Sequence, residues 1–134
     1  PMKNTHNLML SLLLAANCFA TTNTLNLVNN SSHDFSELDS KSEVKSWNAP
    51  VKVNKKSSKT FTIKSDDKKK FAVSIYDIDG DINKGLLFVG GNTELFLVCT
   101  NRADILKATP SLRYADDGMY CATSTGGTIK ISDK

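Results

Sequence analysis

The sequence predicts an all-β protein: a single-domain antiparallel β-sandwich of about eight short strands with one disulfide bond. First, short apolar or alternating runs recur along the chain, and Gly, Asn, Asp and Ser clusters separate them roughly every 8 to 12 residues. Second, no stretch after the N-terminal leader has the apolar period of an amphipathic helix. Third, only two cysteines follow that leader, so we expect them to pair.

Residues 70–100 are expected to form the centre of a sheet. Residues 71–76 (FAVSIY) alternate with a period of two, which is typical of a half-buried strand. Two continuous apolar runs follow, 86–89 and 95–98, and Gly90-Gly91-Asn92 between them is a turn signal. The three segments predict a meander of three adjacent strands.

The segments before this centre are more polar. An alternating strand is predicted over 24–28, followed by a polar turn, and Phe35 and Leu38 fit one loose helical turn. Trp47 shortly precedes Pro50, which disfavours helix in the residue before it. We therefore expect Trp47 at the start or corner of a strand, with its large side chain in the core.

A basic hairpin is predicted over 51–53 and 60–64, with its apolar side chains pointing inward. Near the C-terminus, residues 105–108 fit one short helical turn. The sequence 115–118 (ADDG) is a hairpin signal, because Asp-Gly supplies the positive φ of a tight turn. Residues 119–123 and 128–132 are predicted to form the last hairpin.

The N-terminal residues are interpreted as a secretory signal peptide, residues 1–20. Lys3 supplies the positive charge, and the apolar run 8–16 is too short to span a bilayer. Small residues then precede a cleavage point at Thr21. Cleavage leaves residues 21–134 as one exported domain, secreted or periplasmic.

An alternative is a lipoprotein anchored through Cys18, but Asn17 stands where that anchor requires a small residue. Pro1, which precedes Met2, is interpreted as a residue added in cloning. The Asn- and Lys-rich composition indicates a bacterial protein, for which a role in virulence is one hypothesis.

The two cysteines of the mature chain, Cys99 and Cys121, are predicted to form a disulfide, since exported proteins meet an oxidising compartment. The bridge would stabilise the fold by about 3 kcal/mol, chiefly by restricting the unfolded chain. The alternative, two free thiols in a cytosolic protein, disagrees with the signal peptide.

Positive charge is concentrated in one segment. Residues 41–70 hold ten lysines and three acidic residues, whereas 71–134 hold six basic and eight acidic residues. Such a segment can attract anionic partners. The alternative is that these lysines line solvated faces and turns, where they discourage edge-to-edge pairing. The candidate anion- or ligand-binding residues are Lys52, Lys55, Lys56, Lys59, Lys64, Lys68, Lys69 and Lys70.

A candidate calcium site alternates oxygen-bearing side chains along one loop: Asp77, Asp79, Asp81 and Asn83. The match to a calcium-binding EF-hand loop then fails, because Ile82 replaces the required glycine and Phe88 the distal glutamate. The alternative is a turn whose Asp side chains cap their own backbone. No other cofactor is expected.

Catalytic chemistry is not indicated. The mature chain has a single histidine, His33, next to Ser32 and Asp34, and no Gly-x-Ser-x-Gly elbow, so His33 is expected to be a solvated turn residue. A carboxylate pair such as Asp79 with Asp117 is not favoured by any motif. Nucleic-acid binding is not expected either, because the basic segment lacks interleaved aromatic residues that could stack on bases.

The leading hypothesis is an exported, non-catalytic module that binds a protein or glycan surface. The alternative is a membrane-active effector or toxin-like protein whose lysine-rich face meets anionic lipid, with an aromatic residue such as Tyr76 or Tyr120 entering the interface. A hydrolase comes third.

Overall fold

The computed structural model describes residues 21–91 and 95–134 and confirms the predicted fold class. Twelve strands, rather than about eight, form two sheets that stack as a sandwich and carry one disulfide. The strands are β1 Thr21–Asn29, β2 Phe35–Ser42, β3 Ser46–Asn48, β4 Lys52–Val53, β5 Ser57–Ser65, β6 Phe71–Ile78, β7 Asp81–Gly91, β8 Phe96–Thr100, β9 Leu106–Thr109, β10 Arg113–Asp116, β11 Met119–Ser124 and β12 Gly127–Asp133.

The five-strand sheet has the order β3-β5-β1-β12-β9, and the seven-strand sheet has the order β10-β11-β8-β7-β6-β2-β4. The predicted meander is confirmed as β6-β7-β8 at the centre of the seven-strand sheet. Neighbouring strands are antiparallel except β1 and β12, which pair in parallel with Leu25 opposite Gly127. The first and last strands of the described chain therefore lie side by side and run in the same direction.

The core lies between the sheets and is rich in aromatic rings. Phe61 of the five-strand sheet stacks on Phe88 of the seven-strand sheet, with ring centroids 4.4 Å apart, and Tyr76 meets both rings edge-on. Trp47 is the central residue of the short strand β3 rather than its start, and it packs against Phe61 and Phe96 at centroid distances of 5.8 and 6.4 Å. These contacts join the two sheets.

Both predicted helical turns are wrong. Phe35 opens strand β2, and Leu38 lies at a β-bulge where the pairing with β6 shifts register between Glu37 and Asp39. The bulge explains why β2 lacks a clean alternating pattern. Leu106 likewise opens strand β9, which pairs with β12.

The two predicted outer hairpins are also wrong. Strand β4 belongs to the seven-strand sheet and β5 to the five-strand sheet, so the basic segment crosses from one layer to the other. The same holds for β11 and β12. Real hairpins close at Asp79-Gly80 and Asp117-Gly118, where both residues of each pair have positive φ. The second of these is the predicted ADDG turn.

Several predictions lie outside the described residues, namely the signal peptide and the Asn92 part of the turn before β8. Gly90 and Gly91, assigned to that turn, instead end strand β7. In the described part of the chain, no helix is long and apolar enough to cross a membrane.

Candidate functional site

Strand β6 turns its larger apolar side chains away from the core. Ala72, Ser74 and Tyr76 are buried, whereas Phe71 and Ile75 are 47% and 41% exposed. Ser74 and Tyr76 can be buried because their hydroxyl groups have hydrogen-bond partners.

The buried hydroxyls of Tyr76 and Ser74 each have a hydrogen-bonding partner from a distant part of the chain. The Tyr76 hydroxyl donates to the carbonyl of Pro50 at 2.5 Å. The Trp47 Nε1–H donates to Ser74 Oγ at 2.6 Å, and Ser40 Oγ lies 3.0 Å from the same oxygen. Burial, followed by the nearby Glu37 charge, raises the pKa of Tyr76. The phenol therefore stays neutral and acts as a donor.

The outward side of β6 continues across three neighbouring strands. Ladder pairing sets Ile75 beside Leu87, Leu87 beside Cys99 and Cys99 beside Cys121, and it also sets Val73 beside Val89 and Val89 beside Leu97. Directly paired residues share one side of a sheet. We call this surface the apolar face. It comprises the exposed Phe71 and Ile75, the half-buried Val73, Leu87, Val89 and Leu97, and the Cys99–Cys121 disulfide, in which Cys99 is buried.

A groove lies at each edge of the apolar face. At the β2 edge, Phe71, Val73 and Ile75 form the apolar wall of a groove of about 430 Å³. Its opposite wall is polar and comprises Asp39, Ser40, Lys41, Ser42 and Glu43. At the β10 edge, a second groove of about 480 Å³ is lined by Leu97, Pro110, Ser111, Arg113, Tyr114, Ala115, Cys121 and Thr123. Charged side chains thus border the apolar face on both sides.

The outer side of the five-strand sheet has the opposite character. Thr60 and Thr62 of β5 pair with Asn26 and Thr24 of β1, and Asn26 pairs with Thr128 of β12. These side chains are exposed or half-buried and polar. The sandwich therefore has one apolar and one polar outer surface.

The predicted anion-binding lysines do not form one patch. Lys55 and Lys56 lie in the β4–β5 turn, whereas Lys68, Lys69 and Lys70 lie in the β5–β6 turn. The nine residues of β5 separate these turns by about 30 Å. The other three occupy different strands or faces: Lys52 on β4, and Lys59 and Lys64 on β5.

The predicted calcium ligands have separate roles in the structure. Asp77 Oδ1 accepts from the Gly80 amide at 3.1 Å, and Asp81 Oδ1 accepts from the Asn83 amide at 3.0 Å. Asp79 faces His33 instead. Among residues 21–91 and 95–134, no three His, Cys, Asp or Glu side chains are grouped so as to hold a metal ion.

His33 is held more firmly than the expected solvated turn residue. Its Nδ1 lies 2.6 Å from Asp79 Oδ2, and its Nε2 lies 3.7 Å from Asp133 Oδ1. The Ser32 amide donates to Asp133 at 3.0 Å. The hydrogen bond to His33 lowers the pKa of Asp79, and the Ser32 amide lowers the pKa of Asp133. This cluster ties the β1–β2 turn to the β6–β7 turn and to the C-terminal strand.

The two tyrosines predicted to enter a membrane interface differ in exposure. Tyr76 is fully buried, so that prediction is wrong for Tyr76, whereas Tyr120 is 37% exposed and packs edge-on against Tyr114.

The carboxylates of Asp79 and Asp117 lie in different turns of the seven-strand sheet. Asp117 lies in the β10–β11 turn and Asp79 directly follows β6, and β10 is four strands away from β6. At about 4.8 Å per strand, the separation of the two carboxylates across the sheet exceeds the carboxylate spacing of glycosidases, which is about 5–9.5 Å.

The apolar face was missed at the sequence level, although a signal was present. In a two-layer sandwich each strand buries one side only, so half of its positions face outward. Residues 86–89 (LLFV) and 95–98 (LFLV) are apolar at every position. Such runs in a half-buried sheet indicate an apolar outer surface.

Comparison with known proteins assigns no family. No protein-family model matches the chain, and no curated protein matches it.

Proposed function

We propose that this protein is an exported, non-catalytic module that binds another protein through the apolar face. One observation carries the proposal: four adjacent strands turn apolar side chains away from the core, with a groove at each edge of that surface. Contiguous exposed apolar surface on a folded protein marks an interaction site. The disulfide fits an extracellular or periplasmic protein, and the predicted signal peptide supports the same location.

A protein partner is favoured over a glycan. Glycan hydroxyls need hydrogen-bonding groups, and the side chains of Val73, Val89 and Leu97 at the centre of the face offer none. Polar groups occur at the margins instead, with Lys41 on one edge and Arg113 on the other. An apolar centre with a polar rim is the usual anatomy of protein–protein interfaces.

Site-specific photocrosslinking tests this proposal. Benzoylphenylalanine placed at Val73 or Val89 is expected to give protein adducts in cells that produce the protein. The same probe at Thr60 or Thr62, on the polar outer surface, provides the matched control and should give none. Adducts that form equally on both surfaces, or only from the control positions, would contradict binding through the apolar face.

The non-catalytic part of the proposal is tested by turnover assays against polysaccharide, peptide and ester panels. We expect no activity above background. An activity that disappears in Asp79→Asn but persists in Asp66→Asn, a change in an exposed turn, would show that the protein is an enzyme.

A further inference from the structure

We propose that the protein bound by the apolar face also adds an extended strand to the edge of the sheet, alongside residues 39–43 of β2 and the residue after it. This inference rests on the proposed function and names the kind of segment that the partner contributes. Phe71, Val73 and Ile75 form one wall of the groove at this edge, and residues 39–43 form the other. One partner can therefore cover the apolar face and pair with its edge.

One side of residues 39–43 has no neighbouring strand in the part of the chain that the structure describes. Strand β6 pairs with β2 on one side, whereas β4, on the other side, reaches only Phe35 and Ser36. The next contact on that side is the Glu37 amide, which donates to the Val51 carbonyl at 2.8 Å. Residues 39–43 are all exposed. We call this segment the open edge.

The main-chain groups of Ser40 and Ser42 point away from the sheet. The Glu43 amide donates to the Phe71 carbonyl of β6 at 3.1 Å. Residues of an antiparallel strand face their two neighbours alternately, so every second residue back from Glu43 faces β6, and Ser40 and Ser42 face outward. The Ser40 amide donates to the side chain of the preceding Asp39 at 2.8 Å, a local contact that a strand carbonyl can replace. Outward main-chain groups of this kind are the template for strand addition.

The other sheet edges are shorter or interrupted. Strands β3 and β4 have three and two residues. Strand β9 has four, and Pro110, which has no amide to donate, follows it directly. Strand β10 also has four, and its pairing shifts register between Tyr114 and Asp116, which protects an edge. The open edge keeps a regular register with β6 over its whole length, because the bulge of β2, between Glu37 and Asp39, lies at its start.

The charges along the open edge alternate in sign. Asp39 and Lys41 pair with Ile75 and Val73, so their side chains lie on the outer side of the sheet, and Glu43 continues the alternation. Within residues 21–91 and 95–134, none of these three charged side chains forms an ion pair. Opposite charges on directly paired residues of two strands stabilise the pair, and like charges destabilise it. We therefore expect a basic, an acidic and a basic residue at alternate positions of the added segment, a pattern that is the same in either strand direction.

The same charges disfavour a second copy of β2 as the added strand. In the antiparallel register that pairs all of residues 39–43, Lys41 would lie opposite its own counterpart and Asp39 opposite Glu43 of the other copy. Every charged contact would then oppose like charges, which disfavours a complex. The open edge therefore selects a different chain.

Two fluorescent peptides with blocked ends test the charge pattern, with fluorescence anisotropy as the measurement. Thr-Lys-Thr-Glu-Thr-Lys-Thr has the expected pattern, and Thr-Glu-Thr-Lys-Thr-Glu-Thr has the charges exchanged. At low salt, we expect the first peptide to bind the purified protein about tenfold more tightly than the second, since three cross-strand charge pairs change sign. Equal affinities for the two peptides would overturn the charge pattern.

A charge-exchanged protein tests the location. The triple variant Asp39→Lys, Lys41→Glu and Glu43→Lys should prefer the second peptide, which a merely structural role of these exposed residues would not produce. Asp116→Lys, at the opposite edge of the same sheet, makes the same change in net charge and should keep the preference of the wild type. Thermal unfolding shows whether each variant is folded. A folded triple variant that still prefers the first peptide would contradict binding at the open edge.

Methylation of the peptide amides tests main-chain pairing. A strand turns alternate amides to its neighbour. Methylating one alternate set, either the two inner threonine amides or the lysine and glutamate amides, should abolish binding, and methylating the other set should leave the affinity unchanged. Tolerance of both sets would mean that the peptide does not pair as a strand.

The crosslinking experiment separates failure of this inference from failure of the proposed function. Adducts from Val73 and Val89, with neither peptide bound, would retain a protein-binding face and reject strand addition. Absence of both adducts and peptide binding would overturn both. Self-association in sedimentation equilibrium that the triple variant abolishes would make the added strand a second copy and overturn selection of a different chain.

Discussion

Asn29 is the residue on which one end of the sandwich depends most. It is fully buried at the end of β1, and its Oδ1 accepts from the amide and the hydroxyl of Ser31 at 3.0 and 2.6 Å. Its Nδ2 donates to the carbonyls of His33, Val53 and Asn54 at 2.8 to 3.3 Å. One side chain therefore holds the β1–β2 turn against the crossing between the two sheets.

Asn29→Ala is expected to destabilise the protein by about 3 kcal/mol, because it leaves several buried backbone groups without partners. Urea denaturation monitored by Trp47 fluorescence measures the change. Asn26→Ala, on the polar outer surface of the same strand, is the control and should cost under about 1 kcal/mol. Equal losses in the two variants would contradict the role assigned to Asn29.

The His33–Asp79 contact predicts a pH dependence. The hydrogen bond from His33, with the Asp34 amide, lowers the pKa of Asp79 in the folded state. A carboxyl with a lowered folded pKa stabilises the fold above its unfolded pKa, about 3.9, and this stability is lost as the pH falls below that value.

Asp79→Asn should therefore lower the unfolding temperature near neutral pH, and its difference from the wild type should vanish at acid pH. The expected loss is below about 1 kcal/mol because the pair is half exposed and water screens it. Thermal unfolding followed by circular dichroism across this pH range checks it. Asp66→Asn should show no such convergence, and a gap that widened in acid would reverse the assigned sign.

At the scale of the strand, sequence pattern predicted alternation but not direction. The alternation of β6 is evident in FAVSIY, yet the larger apolar set faces outward. The direction depends on Pro50, Trp47 and Ser40, which satisfy the polar atoms of Tyr76 and Ser74 from distant parts of the chain. Local pattern contains no information about such partners, so the candidate site itself was not predictable from β6 alone.

Some strand pairings were predictable from local sequence and others were not. The meander β6-β7-β8 was predictable because each strand pairs with the next in sequence. The parallel pair β1 and β12 joins opposite ends of the described chain, and no local signal specifies it. The layer crossings after β4 and β11 resemble hairpin turns in sequence, since both contain turn-forming residues. Only the packing of the complete core decides whether such a segment forms a hairpin within one sheet or crosses between the two sheets.

The disulfide covalently links two strands that are already hydrogen-bonded neighbours. Cys99 and Cys121 are directly paired in the β8–β11 ladder, with Cα atoms 4.0 Å apart and a sequence separation of 22. Cys99→Ala with Cys121→Ala should cost about 3 kcal/mol by releasing the unfolded chain. Urea denaturation measures the loss. Mass spectrometry of the oxidised protein should find neither Cys99 nor Cys121 alkylated, and a reactive Cys99 would contradict the bridge.

On the scale of the whole molecule, the two outer surfaces differ in chemistry. The five-strand sheet presents threonine, asparagine and lysine to solvent, whereas the centre of the seven-strand sheet presents aliphatic residues between charged edges. A polar outer surface needs no partner, whereas an apolar one loses unfavourable contact with water when it is covered. The asymmetry supports association through one surface only and leaves the other hydrated.

The distribution of lysines over separate turns predicts weak binding to anionic membranes. Lys55 and Lys56 are separated from the Lys68–Lys70 turn by about 30 Å, several Debye lengths at about 0.15 M salt. A bilayer that meets the larger turn alone gains from three lysines at about 1 kcal/mol each, which is only about 3 kcal/mol. We expect no co-sedimentation with phosphatidylserine vesicles at about 0.15 M salt, and partial binding at about 0.01 M that neutral vesicles do not show. Salt-resistant binding that Val73→Glu abolishes and Thr60→Glu preserves would instead assign the apolar face to lipid, because only insertion of apolar side chains would survive screening.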